Sequence, residues 1–584
     1  MQSQALDISV SPFQGGLDVS LDLVSSEEGL LIYRFSIHQA EPNLIEPITL
    51  RWKIPYLNGK GVWKSDGIHD KRQQYDWELE HFYSRISVNA PVISVFGLQD
   101  QNLITFACQE AIELVEMNAL LREEDNFLYC HLTLFPEPSL FQAKYETHLR
   151  IDLRKLPFGT ALQETAAWWA SFPELTPTKV PALARAPLYS TWYNYHQSLD
   201  EEILMAELKV AQELGYELVI IDDGWQTLDS QRGYDYTGDW EPERMPEIKA
   251  FVDQVHDLGM KVGLWFSVPF CGKKSHAYRR FQGKFLTENH RWAPVFDPRF
   301  PEVREYLVGL YCRAVREWGM DALKLDFIDD FRMYPETVKG NVGGRDFASI
   351  NEGVDALLTA TLSQLKEIRP DIAIEFRQRY VGPAVRKYGN MFRAFDCPND
   401  PITNRIRTTD VKLLCGETAV HSDPITWHPD DSVENAALQL LNGLFSVPQI
   451  SVELTKLTPP FLEMLRFYTR FWKQHQAILM DGHFEAYNPL GNYPRLSSEM
   501  DGTAIQVAYD DLVLPLKEIP RQYLFNGSDK AGIIIRVVHA REEQAYSVLD
   551  CQGKEVEKGT LSLLPGLYEF DVPIAGYLLL ISKN

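Results

Sequence analysis

Long apolar segments are missing from this sequence. No run approaches the roughly 18 consecutive apolar residues that a membrane span requires. Residues 1–16 contain neither the basic segment nor the apolar segment of a signal peptide. We therefore expect no leader peptide and a cytoplasmic location.

Clustered positive charge is missing as well. The 57 Lys and Arg residues are outnumbered by 81 Asp and Glu residues, the formal net charge is −24, and no Lys/Arg-rich run occurs. Because nucleic acids and anionic membranes are bound by clustered cations, we expect neither as a partner.

The cysteines are few and scattered. Their number, seven, is odd, and no CxxC pair or Cys/His ligand spacing occurs. The sequence therefore predicts neither a disulfide framework nor a structural zinc site. No metal and no organic cofactor is implied.

What the sequence does contain is a change of pattern along its length. Residues 1–155 are short strand-like runs separated by turn residues, which is typical of an antiparallel β-sandwich. Residues 156–186 form a connector with a Trp-rich helix and spaced prolines. Residues 187–478 alternate between strands and helices. Residues 479–584 return to strands, which predicts a small antiparallel β domain.

The central region is predicted to be a (β/α)8 barrel. Most of its strand-like segments precede an amphipathic helix, in which apolar residues recur at i, i+4 and i+7 as Leu204, Leu208 and Ala211 do. An open doubly wound sheet is the alternative, but no GxGxxG loop follows a strand, so we favour the barrel. The eight predicted strands are LYSTWY, ELVIIDD, KVGLWFS, ALKLDF, IAIEFR, MFRAFD, ETAVHSD and QISVEL.

The segment MDALKLDFIDD, residues 320–330, is the most informative part of the chain. Lys324 and Asp326 alternate with apolar residues, so both point to the same face of the strand. The lysine would keep the aspartate ionised, and an ionised carboxylate can act as a nucleophile. A structural ion pair inside the barrel is the alternative.

Polar side chains follow most of the predicted barrel strands, at the end where catalytic groups of such barrels lie. In strand order they are Trp192 and His196; Asp222 and Asp223; Trp265 and Ser267; Lys324, Asp326, Asp329 and Asp330; Glu375 and Arg377; Arg393, Asp396 and Asp400; His421 and Asp423. Carboxylates bind pairs of sugar hydroxyls, and Trp rings stack on pyranoses. Two of the carboxylates can serve as nucleophile and general acid of a glycosidase.

Other interpretations of these residues stay open. Asp222 and Asp223 are neighbours on a strand and face opposite sides, so they are better suited to binding hydroxyls than to catalysis. His421 is typical of a hydrogen-bonded core histidine. Asp326, Asp329 and Asp330 resemble a DxxD magnesium motif, but that motif belongs on a helix, so the strand context argues against a metal.

Five motifs, in order on the predicted strands, resemble glycoside hydrolase family 36, the α-galactosidases and their relatives. They are STWY at 190–193, IDDGW at 221–225, GLW at 263–265, LKLDF at 323–327 and FRAFD at 392–396. The resemblance spans essentially the whole chain. It implies a multidomain α/β fold, with a central (β/α)8 TIM barrel flanked by an N-terminal antiparallel β-supersandwich and a C-terminal antiparallel β-sandwich.

The resemblance also implies a retaining α-glycosidase mechanism. Asp326 matches the nucleophile and Asp396 the general acid/base, and their carboxyls should lie about 5–5.5 Å apart. The implied substrate-binding residues are Lys324 and Arg393 at sugar hydroxyls, Asp222 and Asp223 at O4 and O6, Trp192 and Trp265 on the pocket wall, and Trp63 of the N-terminal domain closing the pocket.

The chain departs from the family pattern after strand five. Many members have a cysteine- and glycine-rich motif there, whereas this chain has IEFRQR at 374–379. That region faces the C2 substituent of the sugar, so hydroxyl and acetamido specificity both stay open, and Glu375 could reach into the site. Asp400 is a second candidate for the acid/base, although we favour Asp396.

The predicted function is an exo-acting α-galactosidase whose partner is an oligosaccharide or glycoside substrate. An α-N-acetylgalactosaminidase, another α-glycosidase or a transglycosylase on the same fold is the nearest alternative. An inactive carbohydrate-binding protein is the alternative of a different class. Because the family is often oligomeric, a homo-oligomer is also considered.

Overall fold

The computed structural model of this chain describes residues 6–11, 17–78, 81–137 and 141–582. Residues 1–5 and 12–16, on which the leader prediction partly rests, lie outside these ranges. A mainly antiparallel region, a parallel barrel and a second mainly antiparallel region follow one another along the chain. This is the architecture that the sequence predicts.

Two six-stranded sheets form the N-terminal region and enclose its apolar core. Burial along Ile48–Pro55 alternates residue by residue, as expected for a strand with one face on a core. One sheet contains Ser9–Ser11, Ile48–Pro55, Phe127–Leu134, Val115–Leu121, Gln74–Tyr75 and Phe82–Ser84. The other contains Asp18–Glu27, Leu30–Leu44, Phe141–Asp152, Asn102–Cys108, Val92–Gly97 and Gly59–Lys64.

All eight predicted barrel strands occur in one parallel sheet, in the order seven, six, five, four, three, two, one, eight. Isolated parallel bridges, one of them between His421 and Val447, connect strand seven with strand eight and close the ring. Strand one is shorter than predicted, because the chain turns into the short helix Trp192–Tyr195. The barrel strands are Leu188–Ser190, Leu218–Ile221, Lys261–Ser267, Ala322–Asp326, Ala373–Arg377, Met391–Arg393, Ala419–His421 and Gln449–Ile450.

Amphipathic helices cover most of the barrel. In the helix after strand one, Leu204, Leu208 and Ala211 are fully buried, as their spacing predicts. Gly215 and Gly259, just beyond two helix ends, have φ angles of +95° and +79°, which glycine adopts without a Cβ penalty. The helices that follow barrel strands are Glu201–Glu213, Ile248–Asp257, Pro301–Glu317, Ile350–Ile368, Pro401–Lys412, Val433–Asn442 and Pro459–Gln474, whereas strand five is followed by the 3-10 turn Val385–Lys387.

A seven-stranded and a three-stranded sheet form the C-terminal region. Each contains one parallel pair, Thr503–Ala508 with Arg521–Asn526 and Val513–Pro515 with Ile533–Val537, where the prediction was an antiparallel domain. The first pair is parallel because the chain crosses to the smaller sheet at Val513–Pro515 before it returns to the larger one. The larger contains His483–Tyr487, Arg495–Met500, Thr503–Ala508, Arg521–Asn526, Tyr577–Ser582, Arg541–Leu549 and Glu555–Leu563, and the smaller contains Val513–Pro515, Ile533–Val537 and Gly566–Phe570. The remaining α-helices of the described residues are the connector helix Phe158–Ala170, His276–Arg280 and Gln476–Asp481, and the remaining strands are the hairpin of Phe285–Thr287 with Val295–Phe296.

One buried carboxylate joins the three regions. Asp410, on helix Pro401–Lys412, accepts hydrogen bonds from Lys71 Nζ at 2.9 Å and Trp63 Nε1 at 2.8 Å, both from the N-terminal region. The Tyr493 hydroxyl, from the C-terminal region, donates to it at 2.6 Å. Asp410 is therefore one point at which both flanking regions are bonded to the barrel.

Candidate active site

Asp326 is the last residue of barrel strand four, and four groups donate hydrogen bonds to its carboxylate. Oδ1 accepts from Arg377 Nε at 2.7 Å and from the Tyr380 hydroxyl at 2.7 Å. It also accepts from the Phe327 backbone N–H at 2.7 Å. Oδ2 accepts from the Trp265 indole at 3.0 Å. Oδ1 is therefore saturated, whereas Oδ2 keeps acceptor capacity.

The neighbouring cations decide the charge of Asp326. Burial alone would raise the pKa of this carboxyl, but Arg377, Lys324 and Arg393 outweigh burial and hold the pKa well below its usual range. Arg377 is the direct ionic partner of Asp326, whereas Lys324 Nζ bonds to Asp222 Oδ2 at 2.7 Å. The lysine therefore keeps Asp326 ionised only at a distance, which differs from the sequence-based expectation of a direct pair.

Aromatic rings lie at the ends of strands one and three. Trp265 is buried and packs against Tyr234 with ring centroids 6.1 Å apart, and Tyr234 in turn contacts the ring of Trp292, which is 41% exposed. Trp192 is half-buried, and the guanidinium of Arg232 lies 5.0 Å above its ring. Both predicted tryptophans therefore lie at the barrel end that carries the carboxylates.

The two carboxylates after strand two differ in their surroundings. Asp222 is paired with Lys324, as described above. Asp223 accepts hydrogen bonds from two amides, Gln226 Nε2 at 2.7 Å and Gln197 Nε2 at 2.8 Å. Burial raises the pKa of Asp223 to about 6. Its charge is therefore sensitive to pH near neutrality, unlike a carboxylate held by a cation.

Asp396 follows strand six at the same end of the barrel. Its Oδ1 lies 3.0 Å from Arg393 Nη2, and 45% of its side chain is exposed. Burial would raise the pKa of this carboxyl, but Arg393, Arg377 and Lys324 lower it, while the negative charge of Asp326 acts in the opposite direction. The two predicted catalytic carboxylates therefore share one set of cations.

A further carboxylate, Asp423, holds Arg393 from the other side. It is fully buried and accepts hydrogen bonds from Arg393 Nη1, from the Tyr193 hydroxyl at 2.7 Å and from the Cys397 N–H at 2.7 Å. Arg393 is thus fixed between Asp423 and Asp396, which orients the guanidinium toward the acid/base candidate.

Asp400 caps a helix. It is the N-cap of helix Pro401–Lys412, where its carboxylate accepts hydrogen bonds from the backbone N–H of Thr403 at 3.0 Å and from the Thr403 hydroxyl at 2.5 Å. Since its oxygens satisfy the start of this helix, the structure favours Asp396 over Asp400 as the acid/base candidate.

Glu375 and His421 lie inside the barrel. Glu375 Oε2 accepts a hydrogen bond from Gln449 Nε2 at 2.6 Å, and the same amide lies 3.2 Å from His421 Nδ1. His421 Nε2 bonds to the Ala184 carbonyl at 2.7 Å, and burial lowers the pKa of this histidine to about 4. His421 is therefore the hydrogen-bonded core histidine that its sequence context favours.

Trp63 is placed differently from the prediction. Its side chain is fully buried, and its indole N–H donates to Asp410 and to the Tyr493 hydroxyl. Trp265, by contrast, is just as buried but donates directly to Asp326. Because both hydrogen bonds of Trp63 serve the junction of the three regions, its predicted role in closing the pocket is not supported.

Arg377 and Tyr380 are the site residues whose roles the sequence analysis missed. Strands four and five pair in parallel with Lys324 opposite Glu375, and two residues further on the same register brings Asp326 level with Arg377. A correct register would have revealed this ion pair. No local sequence pattern provides that register.

The described residues contain no metal-binding cluster, no membrane-spanning helix and no disulfide. No group of three or more His, Cys, Asp or Glu side chains there has an arrangement that could hold a metal ion. No helix in the described ranges is long and apolar enough to cross a membrane. The seven cysteines are buried, and none forms a disulfide.

One protein family matches part of the chain. The sequence profile of the melibiase family matches residues 174–339. This range includes barrel strands one to four and Asp326. It ends before Arg393, on strand six, and Asp396, just after that strand. The match thus covers one of the two predicted catalytic carboxylates.

Curated relatives match shorter segments. The α-galactosidase AgaA of Geobacillus stearothermophilus is 33% identical over 101 residues, which cover 16% of this chain and 13% of the relative. The α-galactosidase Mel36A of Lactobacillus acidophilus is 31% identical over 100 residues, with the same two shares. The aligned part is therefore a small fraction of the relatives' own length.

Solved structures match over nearly the whole chain. The α-galactosidase from Lactobacillus brevis has a TM-score of 0.66 at 15% identity and is matched over 99% of this chain and 85% of that one. The family 36 α-galactosidase AgaA of G. stearothermophilus gives the same score and identity, with 99% and 88% covered. A variant of AgaA with the same score was solved in complex with raffinose. At this identity the likeness shows the fold, and the predicted barrel with flanking β regions is confirmed. Together with the sequence matches, it confirms the predicted resemblance: this chain is similar to the α-galactosidases of glycoside hydrolase family 36.

Proposed function

We propose that this protein is a retaining exo-α-glycosidase, an α-galactosidase that removes terminal α-linked galactose. The observation that carries the proposal is the pair Asp326 and Asp396, which lie at one end of the barrel in a shared field of cations. A retaining glycosidase needs two such carboxyls with different tasks, about 5–5.5 Å apart.

The different surroundings of the two carboxyls suit these tasks. Asp326 is ionised and firmly held, as a nucleophile that attacks the anomeric carbon must be. Asp396 is exposed enough to exchange a proton with water. It would protonate the leaving oxygen in the first step and activate water in the second.

The loss of charge on Asp326 would couple the two steps. In the free enzyme the negative Asp326 raises the pKa of Asp396 and thus opposes the effect of Arg393. Substrate that covers Asp396 from water would also raise the pKa of this carboxyl, in the same direction as the charge of Asp326. Both effects favour the acid form. Formation of the glycosyl ester removes the charge of Asp326, so the pKa of Asp396 falls and the base form is favoured.

The remaining polar groups would bind an uncharged sugar. Lys324 and Arg393 are already paired with carboxylates, so neither is a free cation for an anionic substrate. Asp222 and Asp223 would accept hydrogen bonds from hydroxyls, and Trp192 and Trp265 would form the wall. The raffinose complex of the AgaA variant supports an α-galactoside as the substrate class.

Hydrolysis of p-nitrophenyl α-galactoside, α-glucoside and α-N-acetylgalactosaminide tests the proposal, with Asp326→Ala as the inactive control. Release from the galactoside alone, abolished in the control, supports both the sugar and the nucleophile. Release from the acetylated sugar alone would make the protein an α-N-acetylgalactosaminidase. Its specificity would then be attributed to residues 374–379, where the chain departs from the family pattern. Release from none would favour the inactive carbohydrate-binding protein.

The acid/base assignment has its own test. Asp396→Ala should lower kcat for a natural α-galactoside by about 10²–10⁴-fold, and added azide should restore turnover of an activated aryl galactoside as the galactosyl azide. Asp400→Ala is the matched control, because it removes a helix cap and leaves the acid/base intact. Transglycosylation would appear as galactosyl transfer to added sugar. The cytoplasmic location and the homo-oligomer stay predictions.

A further inference from the structure

Arg377 and Tyr380 hold one particular oxygen of Asp326. We propose that they form an anchor that fixes Asp326 through Oδ1 and leaves Oδ2 as the atom that attacks the sugar, so that Arg377 is a positioning residue for the nucleophile. The inference rests on the proposed function, since it names which atom reacts and what holds it there.

The hydrogen bonds are distributed unequally between the two oxygens. Oδ1 accepts from Arg377 Nε, the Tyr380 hydroxyl and the Phe327 N–H, each at 2.7 Å. Oδ2 accepts a bond from Trp265 alone among the described residues. An oxygen with three donors has no free lone pair for a new bond, whereas Oδ2 retains one.

The direction of the Tyr380 hydrogen bond is determined by its other partner. The Phe327 N–H also donates to the Tyr380 oxygen, at 3.0 Å. The single hydroxyl proton of Tyr380 is therefore available for Oδ1 of Asp326, 2.7 Å away. This bond donates to the carboxylate and stabilises its charged form.

The guanidinium of Arg377 is itself immobilised. It lies against three aromatic rings, with centroid distances of 5.0 Å to Phe327, 5.2 Å to Tyr380 and 4.7 Å to Phe395. Its Nη1 donates to the Gln378 carbonyl at 2.8 Å. A donor with so little freedom can fix the carboxylate without reorganising during the reaction.

The anchor has a consequence for the two chemical steps. In the first, the Oδ2–C1 bond forms as the C1–O bond to the leaving group breaks, and Asp396 supplies the proton that the leaving oxygen takes. In the second, the oxygen of a water molecule bonds to C1 as the Oδ2–C1 bond breaks, Asp396 takes the proton of that water, and Asp326 departs as a carboxylate. Donors to Oδ1 reduce nucleophilicity in the first step and stabilise the departing anion in the second. The anchor therefore favours breakdown of the glycosyl-enzyme, so little intermediate accumulates.

Kinetics of Arg377→Gln and Tyr380→Phe on p-nitrophenyl α-galactoside test this role. The wild type should show no pre-steady-state burst. Arg377→Gln should show one, and the acidic limb of its kcat/KM profile should move up by about 1–3 pH units, because a close opposite charge has been removed. Tyr380→Phe should shift the limb in the same direction by less. An unchanged limb without a burst would make Arg377 purely structural and overturn the proposal.

Arg405→Gln is the matched control. Arg405 is also buried, but it bonds to the Asn442 side chain and the Asn492 carbonyl, away from Asp326. Its replacement should lower the unfolding temperature and leave the acidic limb of the pH profile in place. An equal shift of the limb in this control would also overturn the proposal.

A measurement that needs no activity separates this inference from the proposed function. Thermal unfolding of Arg377→Gln, Asp326→Asn and the double variant forms a double-mutant cycle. Each single change leaves a buried charge without its closest ionic partner, so the double variant should be more stable than the sum of the two losses predicts. Additive losses would overturn the anchor. Strong coupling in a protein that hydrolyses none of the three glycosides would support the anchor and overturn the proposed function.

Discussion

Two buried carboxylates in this chain have the same kinds of donors and lie at different places in the fold. Each is bound by a cation, an indole N–H and a tyrosine hydroxyl: Arg377, Trp265 and Tyr380 around Asp326, and Lys71, Trp63 and Tyr493 around Asp410. The donors of Asp326 come from neighbouring strands of the barrel and the loop after strand five. Those of Asp410 come from two flanking regions.

The two carboxylates differ in exposure and in the hydrogen-bonding capacity that remains on their oxygens. Asp326 is 8% exposed, and its Oδ2 has a single donor. Asp410 is 1% exposed, and both of its oxygens are bonded across a junction between regions. The same kinds of donors thus surround both carboxylates. Under the proposed function, the place of each in the fold decides whether it reacts or holds parts of the chain together.

The largest expected effect is on activity, at Asp326. Asp326→Asn should lower kcat for p-nitrophenyl α-galactoside by roughly 10⁴-fold or more, because an amide cannot form the glycosyl ester. Circular dichroism should show a folded protein. A kcat within tenfold of the wild type would remove Asp326 from the mechanism and with it the contrast to Asp410.

The next effect is on stability, at Asp410. Asp410→Asn leaves Lys71 buried without its partner, so the free energy of unfolding should fall by about 3–5 kcal/mol. Urea unfolding measures this loss, and kcat of the folded protein should stay near that of the wild type. A strong loss of kcat at unchanged stability would mean that the junction takes part in the reaction.

The two indoles allow a matched pair of smaller changes. Trp265→Phe and Trp63→Phe each remove one hydrogen bond to a charged carboxylate, worth about 1.5–3 kcal/mol. In Trp265→Phe the loss should appear as a kcat/KM lower by about 10- to 100-fold. In Trp63→Phe it should appear in the free energy of unfolding. The same phenotype in both variants would contradict the division of tasks.

Asp223 extends the comparison to a third buried carboxylate. Its side-chain donors are two amides, whereas Asp326 and Asp410 are each bound by a cation. Its pKa in the folded state, about 6, exceeds the ordinary 3.8, so the folded state binds the proton more tightly. Its contribution to stability is full below about pH 4 and is lost as the pH rises through 6. Asp326, whose pKa is lowered, contributes above its ordinary pKa and loses this contribution as the pH falls.

The variant Asp223→Asn tests this pH dependence. It should remove the change in stability around pH 6 and raise stability at pH 8 by about 1–3 kcal/mol relative to the wild type. Thermal unfolding of both proteins from pH 4 to pH 8 measures the difference. Parallel curves over this range would show that Asp223 titrates as an ordinary carboxyl.

The barrel could be predicted because its signals are local. Leu204, Leu208 and Ala211 mark one buried helix face by their spacing, and the apolar strands differ from the helices in period. The strand ends could be ordered along the chain for the same reason. This was sufficient to place Asp326 and Asp396 at one end of the barrel.

The partners of these residues could not be predicted, because they depend on register and on distant contacts. The i, i+2 rule puts Lys324 and Asp326 on one face, yet the long lysine side chain reaches Asp222. The ionic partner of Asp326 is Arg377, on the neighbouring strand five. Nothing near Trp63 in the sequence distinguishes an indole that serves a structural carboxylate from one that lines a pocket.

The junction at Asp410 limits how this chain can be divided. A barrel expressed without residues 1–155 would lose Lys71 and Trp63, and one that ends at residue 478 would lose Tyr493. In either case a buried aspartate would lack some of its partners, so we expect such fragments to be insoluble. The three regions therefore form one unit for engineering, and a graft of this barrel onto other flanking regions has to bring Lys71, Trp63 and Tyr493 with it.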